Sequence, residues 1–291
     1  MPRRAPATGP TSSGNAIRAV PVRHWGRWAS GVAILAALGW VGWSAVRSGF
    51  LDGAQVRHYQ FSRLILEGLR ATVVLAVVAQ VTGIVLGVVF AVLRLSKNVV
   101  ASWFSAAYIW FFRGTPVLVQ LFFWYNGVPT VWKRIVIAVP FTHAVLYSAR
   151  TVDFMTPFMA AFLGLALNEG AYMAEIVRAG ILSVDDGQVE AAQALGMTPL
   201  LTMRRIVLPQ AMRVIVPPTG NEFISMLKTT SLASAITYGE LLRRASDIYS
   251  TNLQVVPLLV AVSIWYLVLT TVASGFQYLI ERRYGKGVRR R

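Results

Sequence analysis

The chain of 291 residues contains no cysteine, so disulfides, thiolate metal sites and cysteine nucleophiles are excluded. Its three histidines, His24, His58 and His143, are scattered without metal-ligand spacing. No Gly-x-x-x-x-Gly-Lys-Ser/Thr phosphate loop occurs, so ATP hydrolysis is not expected on this chain. No Ser/His/Asp, His/Glu or paired-acid arrangement stands out, which speaks against a membrane enzyme. Charge is scarce too: 14% of residues are charged and 55% hydrophobic, a balance that excludes an ordinary water-soluble domain.

What is present is a series of apolar blocks near the length of roughly 20 residues that lets a self-bonded helix cross a bilayer. Candidate spans are 29–47, 64–94, 100–125, 154–178, 207–237 (interrupted) and 253–280, giving an all-α polytopic membrane protein. The formal net charge of +16 raises nucleic acid as a partner, but the cations sit at the chain ends. Arg3, Arg4, Arg18, Arg23 and Arg27 have no acid beside them in the first 28 residues. Arg282, Arg283, Lys286, Arg289, Arg290 and Arg291 face only Glu281 in the last eleven. These basic segments lack interleaved aromatics and read as cytoplasmic flanks, so no nucleic-acid partner is expected.

Residues 1–28 therefore read as a basic, disordered cytoplasmic tail, 29–47 as an uncleaved first helix, and 282–291 as a second basic cytoplasmic tail. Six spans put both termini inside. The linker Arg94, Leu95, Ser96, Lys97, Asn98 and the segment 179–206 then fall inside as well, while 126–153 and 238–252 fall outside.

The fifth span is unusual. Pro217 and Pro218 are expected to interrupt it, and Asn221, Glu222 and Lys228 lie at membrane depth. A broken, polar helix lines either a protein-buried or water-filled route or a kinked packing position with paired charges. Glu169, Glu175 and Arg178 share the preceding span. Glu175 and Arg178, three apart, are open to a structural ion pair, whereas Asn168 and Glu169 suit the polar ends of an amino acid. Arg113, inside the block Trp110, Phe111, Phe112, either steadies a bend at Gly114 and Pro116 or faces a substrate carboxylate.

Between these spans Val189, Glu190, Ala191, Ala192, Gln193, Ala194, Leu195, Gly196, Met197, Thr198, Pro199 reads as a short helix, a turn and a second helix. Asp185 or Asp186 caps the first helix, Gly196 ends it in the left-handed region, and Pro199 suits the first turn of the next. Glu-Ala-Ala, three residues, Gly, nine residues, Ile, one residue, Leu-Pro, met here from Glu190 through Gly196 to Ile206, Leu208 and Pro209, resembles the signature loop of permease subunits of binding-protein-dependent ABC importers. Phe112, Arg113, Gly114, Thr115, Pro116, the stretch from Asn168 to Arg178 with Ala171, Tyr172 and Glu175, and Lys228, Thr229, Thr230, Ser231, Leu232 are similar to the polar amino acid (histidine/glutamine-type) branch. Thr229 stands where that branch more often has Asp.

The resemblance covers about residues 60–285. It implies a type I ABC importer permease core of five helices, here 60–281 with a coupling loop at 183–209, preceded by one extra amino-terminal helix. It implies that Glu190, Ala191, Ala192, Gly196, Met197, Thr198, Ile206, Leu208 and Pro209 couple the chain to a separate ATPase, which carries the ATP and Mg; no cofactor is expected on this chain. A substrate pathway drawn from Asn168, Glu169, Tyr172, Glu175, Arg113, Asn221, Glu222 and Lys228 is expected by the same resemblance together with their polarity at membrane depth. The implied partners are ABC ATPase subunits, a second permease chain (a copy or a paralogue), an extracytoplasmic solute-binding protein and membrane lipid, in a bacterial cell membrane. A secondary transporter would show internal repeats and ion-binding acids, and here the core is present once.

Overall fold

A computed structural model describes residues 25–47, 52–138 and 145–284. The expected tails up to 24 and from 285 lie outside the described residues. Two units are distinguished, 1–51 and 52–291. The first is described by α1 (Trp25–Arg47), a helix apolar on every side whose Leu35 and Leu38 are exposed, the pattern of a helix solvated by lipid. It opens at Trp25 rather than at 29. Arg47 ends it with its guanidinium 4.9 Å from the Trp43 ring.

In the second unit α2 (Gly53–Gln60) is capped by Asp52, whose carboxylate accepts from the amides of Ala54 and Gln55. α3 (Arg63–Leu95) is the longest helix described. Its buried stripe is made of small residues, Gly68, Thr72, Ala76, Ala79, Gly83, Gly87 and Ala91, spaced by three or four. Gly68 and Thr72 meet Leu241, and from Gly83 onward the stripe is the seam against α8 (Pro157–Leu182). The approach is so close that a Cβ on Gly83 would stand 2.4 Å from Cγ of Glu169, and one on Gly87 2.3 Å from Cβ of Met173.

α4 (Val99–Gly114) starts at an Asn98 cap and turns by 102° into a second arm, α5 (Val117–Phe122), a π-helical turn at Phe123–Gly127, and α6 (Val128–Val131). The expected single span at 100–125 is thus two arms. The bend falls at Thr115-Pro116, where Pro116 has no N–H to give and pushes Thr115 into extended backbone.

The segment 126–153 between the expected third and fourth spans contains two strands. β1 (Arg134–Ala138) and β2 (Val145–Arg150) pair antiparallel with Arg134 opposite Arg150, Ile135 opposite Ala149 and Val136 opposite Ser148. β-branched residues on β1 favour this local exception in an otherwise helical protein. α7 (Thr151–Phe154) then leads into α8, which Thr156 caps through the Met159 amide.

After α8 come α9 (Asp186–Ala194), α10 (Pro199–Thr202), a π-helical turn at Met203–Val207, α11 (Leu208–Thr229) and a 3-10 segment at Thr230–Ile236. α11 runs through Pro217 and Pro218 without a break, contrary to the expected interruption. Each proline removes one backbone donor but has a helix-compatible φ. α8 and α13 (Val255–Tyr284) pack against α11, and Gln277 donates to the Pro217 carbonyl at 3.3 Å. α13 carries Arg282 and Arg283 in its last turn, where the helix dipole favours cations, so these residues are helical rather than tail.

By length and apolarity Arg63–Leu95 and Val255–Arg283 are membrane-crossing helices, and the bent pair of 99–114 with 117–131 qualifies as a third. α8 and α11, which are not among these, carry polar and charged residues of the interior such as Asn168, Glu169 and Glu222. Beyond α11, α12 (Leu241–Asn252) lies across the start of α3. Its cap Glu240 is fully buried, accepting from the amides of Leu242 and Arg243 and from the Tyr266 hydroxyl.

Candidate functional site

Along α8, Leu165, Asn168, Glu169 and Tyr172 recur at helical spacing and face one cavity of about 340 Å³. Glu222, Ser225, Met226 and Thr229 of α11 line its other wall, and Val117 at the start of α5 completes it. Two carboxylates, an amide, a phenol and two hydroxyls therefore converge between the two interior helices α8 and α11, where buried polar groups persist only if paired or wetted.

Each side chain is held for an identifiable reason. Glu169 is 4% exposed and accepts from Gln80 Nε2 at 2.8 Å. Gln80 reaches it because the neighbouring Gly83 lets α3 approach α8. Asn168 Nδ2 donates to the Phe112 carbonyl at 2.7 Å, one of the acceptors released where α4 ends. Gln120 serves the same bend, donating to the Phe112 and Thr115 carbonyls at 3.0 and 3.1 Å and to Thr115 Oγ1 at 2.8 Å. Tyr108 donates to the Leu167 carbonyl at 2.6 Å and stacks on Phe90, fixing α4 against α8. Arg113 lies over the Tyr172 ring at 5.1 Å and so stands beside the cavity wall.

The structure thus gathers Asn168, Glu169, Tyr172 and Glu222, with Arg113 adjoining. Glu175 is engaged instead by Arg178, through Arg178 Nε at 3.0 Å and a second bond from Nη2. Asn221 accepts from Gln277 Nε2 at 3.0 Å on another face of α11. Lys228 lines a separate cavity of about 420 Å³ with Ser231, Ser263 and Tyr266. Ser225, Met226 and Thr229 were not foreseen. They follow Glu222 at three, four and seven residues, a periodicity legible only once α11 is known to be continuous.

At the far end of α8 the loop to α11 is a built structure. Asp185 caps α9 through the Gly187 amide at 2.9 Å. The helix closes with Gly196 at φ +73°, the Gly196 amide donating to Gln193 O at 2.9 Å and the Met197 amide to Ala192 O at 3.0 Å, a Schellman pair. Thr198 then caps the helical run that begins at Pro199. Ala192 is buried beneath the knob, and Val184 and Val189 belong to the apolar cluster of Val177, Val207 and Ala211. Glu190, Ala191 and Gly196 face outward, and Leu195 is 83% exposed. Within the described residues Glu190 has no hydrogen-bond or ion-pair partner. Met197 and Ile206 are half-buried, whereas Thr198, Leu208 and Pro209 are exposed.

Helices gathered around a polar cavity, one pair of them bent by 102°, with a capped helical knob at one end, suit a permease. The five-helix core with one additional amino-terminal helix is that of type I ABC importer permeases. Over residues 83–286 the chain matches the binding-protein-dependent transport system inner membrane component family, and it belongs to that family.

The chain is 43% identical over 278 residues to the arginine transport system permease protein ArgU of Corynebacterium glutamicum, covering 95% of this chain and 86% of that one. It is 33% identical over 220 residues to the glutamine transport system permease protein GlnP of Escherichia coli, covering 76% and 92%. A chain in the crystal structure of an amino acid ABC transporter with histidines superposes with a TM-score of 0.67 at 34% identity, covering 80% of this chain and 99% of that one. This chain is a permease subunit of an amino-acid ABC importer, an inner membrane component.

Proposed function

We propose that the chain forms the translocation pathway for polar amino acids and is driven by a separate ATPase that docks on the α9 knob. The observation that carries this reading is the knob itself: a helix closed rigidly at Gly196, anchored below by Ala192, presenting unpartnered Glu190 and exposed Leu195 away from the spans. An exposed apolar side chain beside a free carboxylate is suited to a groove on another protein. Glu190, Ala191, Ala192, Gly196, Met197, Thr198, Ile206, Leu208 and Pro209 make up this coupling element, and ATP with Mg belongs to the partner. The knob lies on the cytoplasmic side together with both termini, and the α2–α12 end faces outward, where a solute-binding protein delivers the ligand. One pathway-lining core per chain calls for a second permease chain, a copy or a paralogue.

The cavity between α8 and α11 is the substrate site in this reading. Glu169 and Glu222 supply acceptors for an ammonium or guanidinium group, and Asn168, Tyr172 and Arg113 supply polar contacts around it. The acidic lining favours a cationic amino acid, in keeping with the arginine permease of Corynebacterium glutamicum. Closure of the ATPase pair moves the knob, and α8 and α11, continuous with it, carry the movement to the cavity.

The test is uptake of a panel of radiolabelled amino acids into vesicles holding this chain with its ATPase and binding protein. ATP-dependent accumulation of polar amino acids is expected, and Gly196→Asp abolishes both uptake and stimulated ATP hydrolysis. Uptake driven by an ion gradient without ATP, or an active Gly196→Asp transporter, refutes the reading.

A further inference from the structure

The β1–β2 hairpin gathers three cations against a single acid among the described residues. The register places Arg134 directly opposite Arg150, and the Lys133 carbonyl accepts from the Thr151 amide at 3.1 Å, so three cations share the open end of the hairpin. Like charges facing each other across a strand pair repel. A single acid offsets them: Asp153 accepts from Arg150 Nε at 2.9 Å and Nη2 at 2.8 Å, and this bond holds its carboxyl below its ordinary range. Lys133 and Arg134 have no hydrogen-bond or ion-pair partner within the described residues, and both are exposed.

The alternation of a strand separates two faces. Ile135 and Ala149 are half-buried on one, while Arg134, Ser148 and Arg150 are exposed on the other. The hairpin is inserted between α6 and α7, immediately before the start of α8, whose Leu165, Asn168, Glu169 and Tyr172 line the cavity. It therefore stands at the start of α8, the end opposite the α9 knob, which in the importer reading is the side from which ligand arrives.

We propose that this hairpin is a docking element for an acidic surface of the extracytoplasmic solute-binding protein, a proposal that rests on the importer reading above. Paired strands fix the three cations in one rigid register, which a folded protein with matching carboxylates recognises. A lipid headgroup layer needs no such register. The repulsion between Arg134 and Arg150 is relieved when those carboxylates arrive, so the charge arrangement favours the docked state and speeds encounter.

The test uses the assembled transporter, with its ATPase, in nanodiscs of neutral lipid and, in parallel, in nanodiscs containing anionic lipid. The binding protein is titrated while ATP hydrolysis is read. Lys133→Glu combined with Arg134→Glu raises the concentration for half-maximal stimulation about tenfold, with unstimulated hydrolysis and the plateau unchanged. The charge-conserving pair Lys133→Arg with Arg134→Lys titrates as the unaltered chain does, and added salt weakens docking in the unaltered chain but not in the reversed one. An unchanged half-saturation point overturns the proposal. So does a defect confined to nanodiscs containing anionic lipid, which assigns the hairpin to the membrane surface. An unaltered transporter that the binding protein never stimulates removes the importer reading, and the docking role with it.

Discussion

Replacing Gly87 by Ala tests the seam on which the cavity is built. The new Cβ would meet Met173 Cβ at 2.3 Å, its carbonyl carbon at 2.8 Å and the Ala174 amide nitrogen at 2.9 Å. Ordinary contact begins near 3.4 Å, and two of the three atoms are backbone, so relief requires α3 and α8 to separate. Overpacking costs up to about 3 kcal/mol and the gain in helix propensity over glycine returns about 1, leaving a net loss of about 2 kcal/mol. For a chain of this size that is a fall in Tm of roughly 4–8 °C. Gly83→Ala presses on the Cβ and Cγ of Glu169 instead, so its main effect is a displaced carboxylate: KM for substrate rises while Tm falls less. Gly31→Ala in α1, where nothing lies within 4 Å, leaves Tm unchanged or raises it. Thermal unfolding in detergent followed by size-exclusion fluorescence measures all three. A Gly87→Ala protein as stable as the original refutes the close seam.

Four further outcomes are expected. Glu240→Ala leaves the amides of Leu242 and Arg243 and the Tyr266 hydroxyl without their acceptor and costs about 2–4 kcal/mol, whereas Glu240→Gln retains most of the stability. Burial pushes the Glu240 carboxyl, in the connection outside the spans, up to about 7 from 4.5. A raised carboxyl favours the protonated fold, so unfolding scans should show stability highest below pH 4.5 and lost as pH rises through about 7; a Glu240→Gln protein with the same slope counts against this. Gln120→Leu strips donors from the Thr115 carbonyl and hydroxyl at the bend and lowers stability by roughly 2 kcal/mol, read in the same thermal scans. Glu169→Gln keeps an acceptor near Gln80 but removes charge from the cavity. Uptake of cationic amino acids falls about tenfold relative to neutral ones, equivalent to about 1.4 kcal/mol, and an unchanged ratio rules out Glu169 as the discriminating charge.

The membrane class, the helical core and the α9 knob were legible in the sequence because each rests on local rules. Apolar block length marks α3 and α13, and the Asp185 cap, Gly196 and Pro199 mark the ends of α9 and the run after it. The resemblance and their polarity at membrane depth also named Asn168, Glu169 and Tyr172, which the structure puts on one face of α8. Local rules misread α11, where two prolines suggested a break that packing by α8 and α13 suppresses. They could not anticipate the hairpin, whose strands are defined by each other. They also left Glu175 and Lys228 among the pathway candidates, since spacing cannot say which face of a polar helix a neighbour covers. Only the tertiary structure decided that Arg178 takes Glu175, that Lys228 turns to another cavity, and that Gly83 and Gly87 bring Gln80 to Glu169. Those outcomes depend on the distance between helices far apart in the chain, and no single segment encodes that distance.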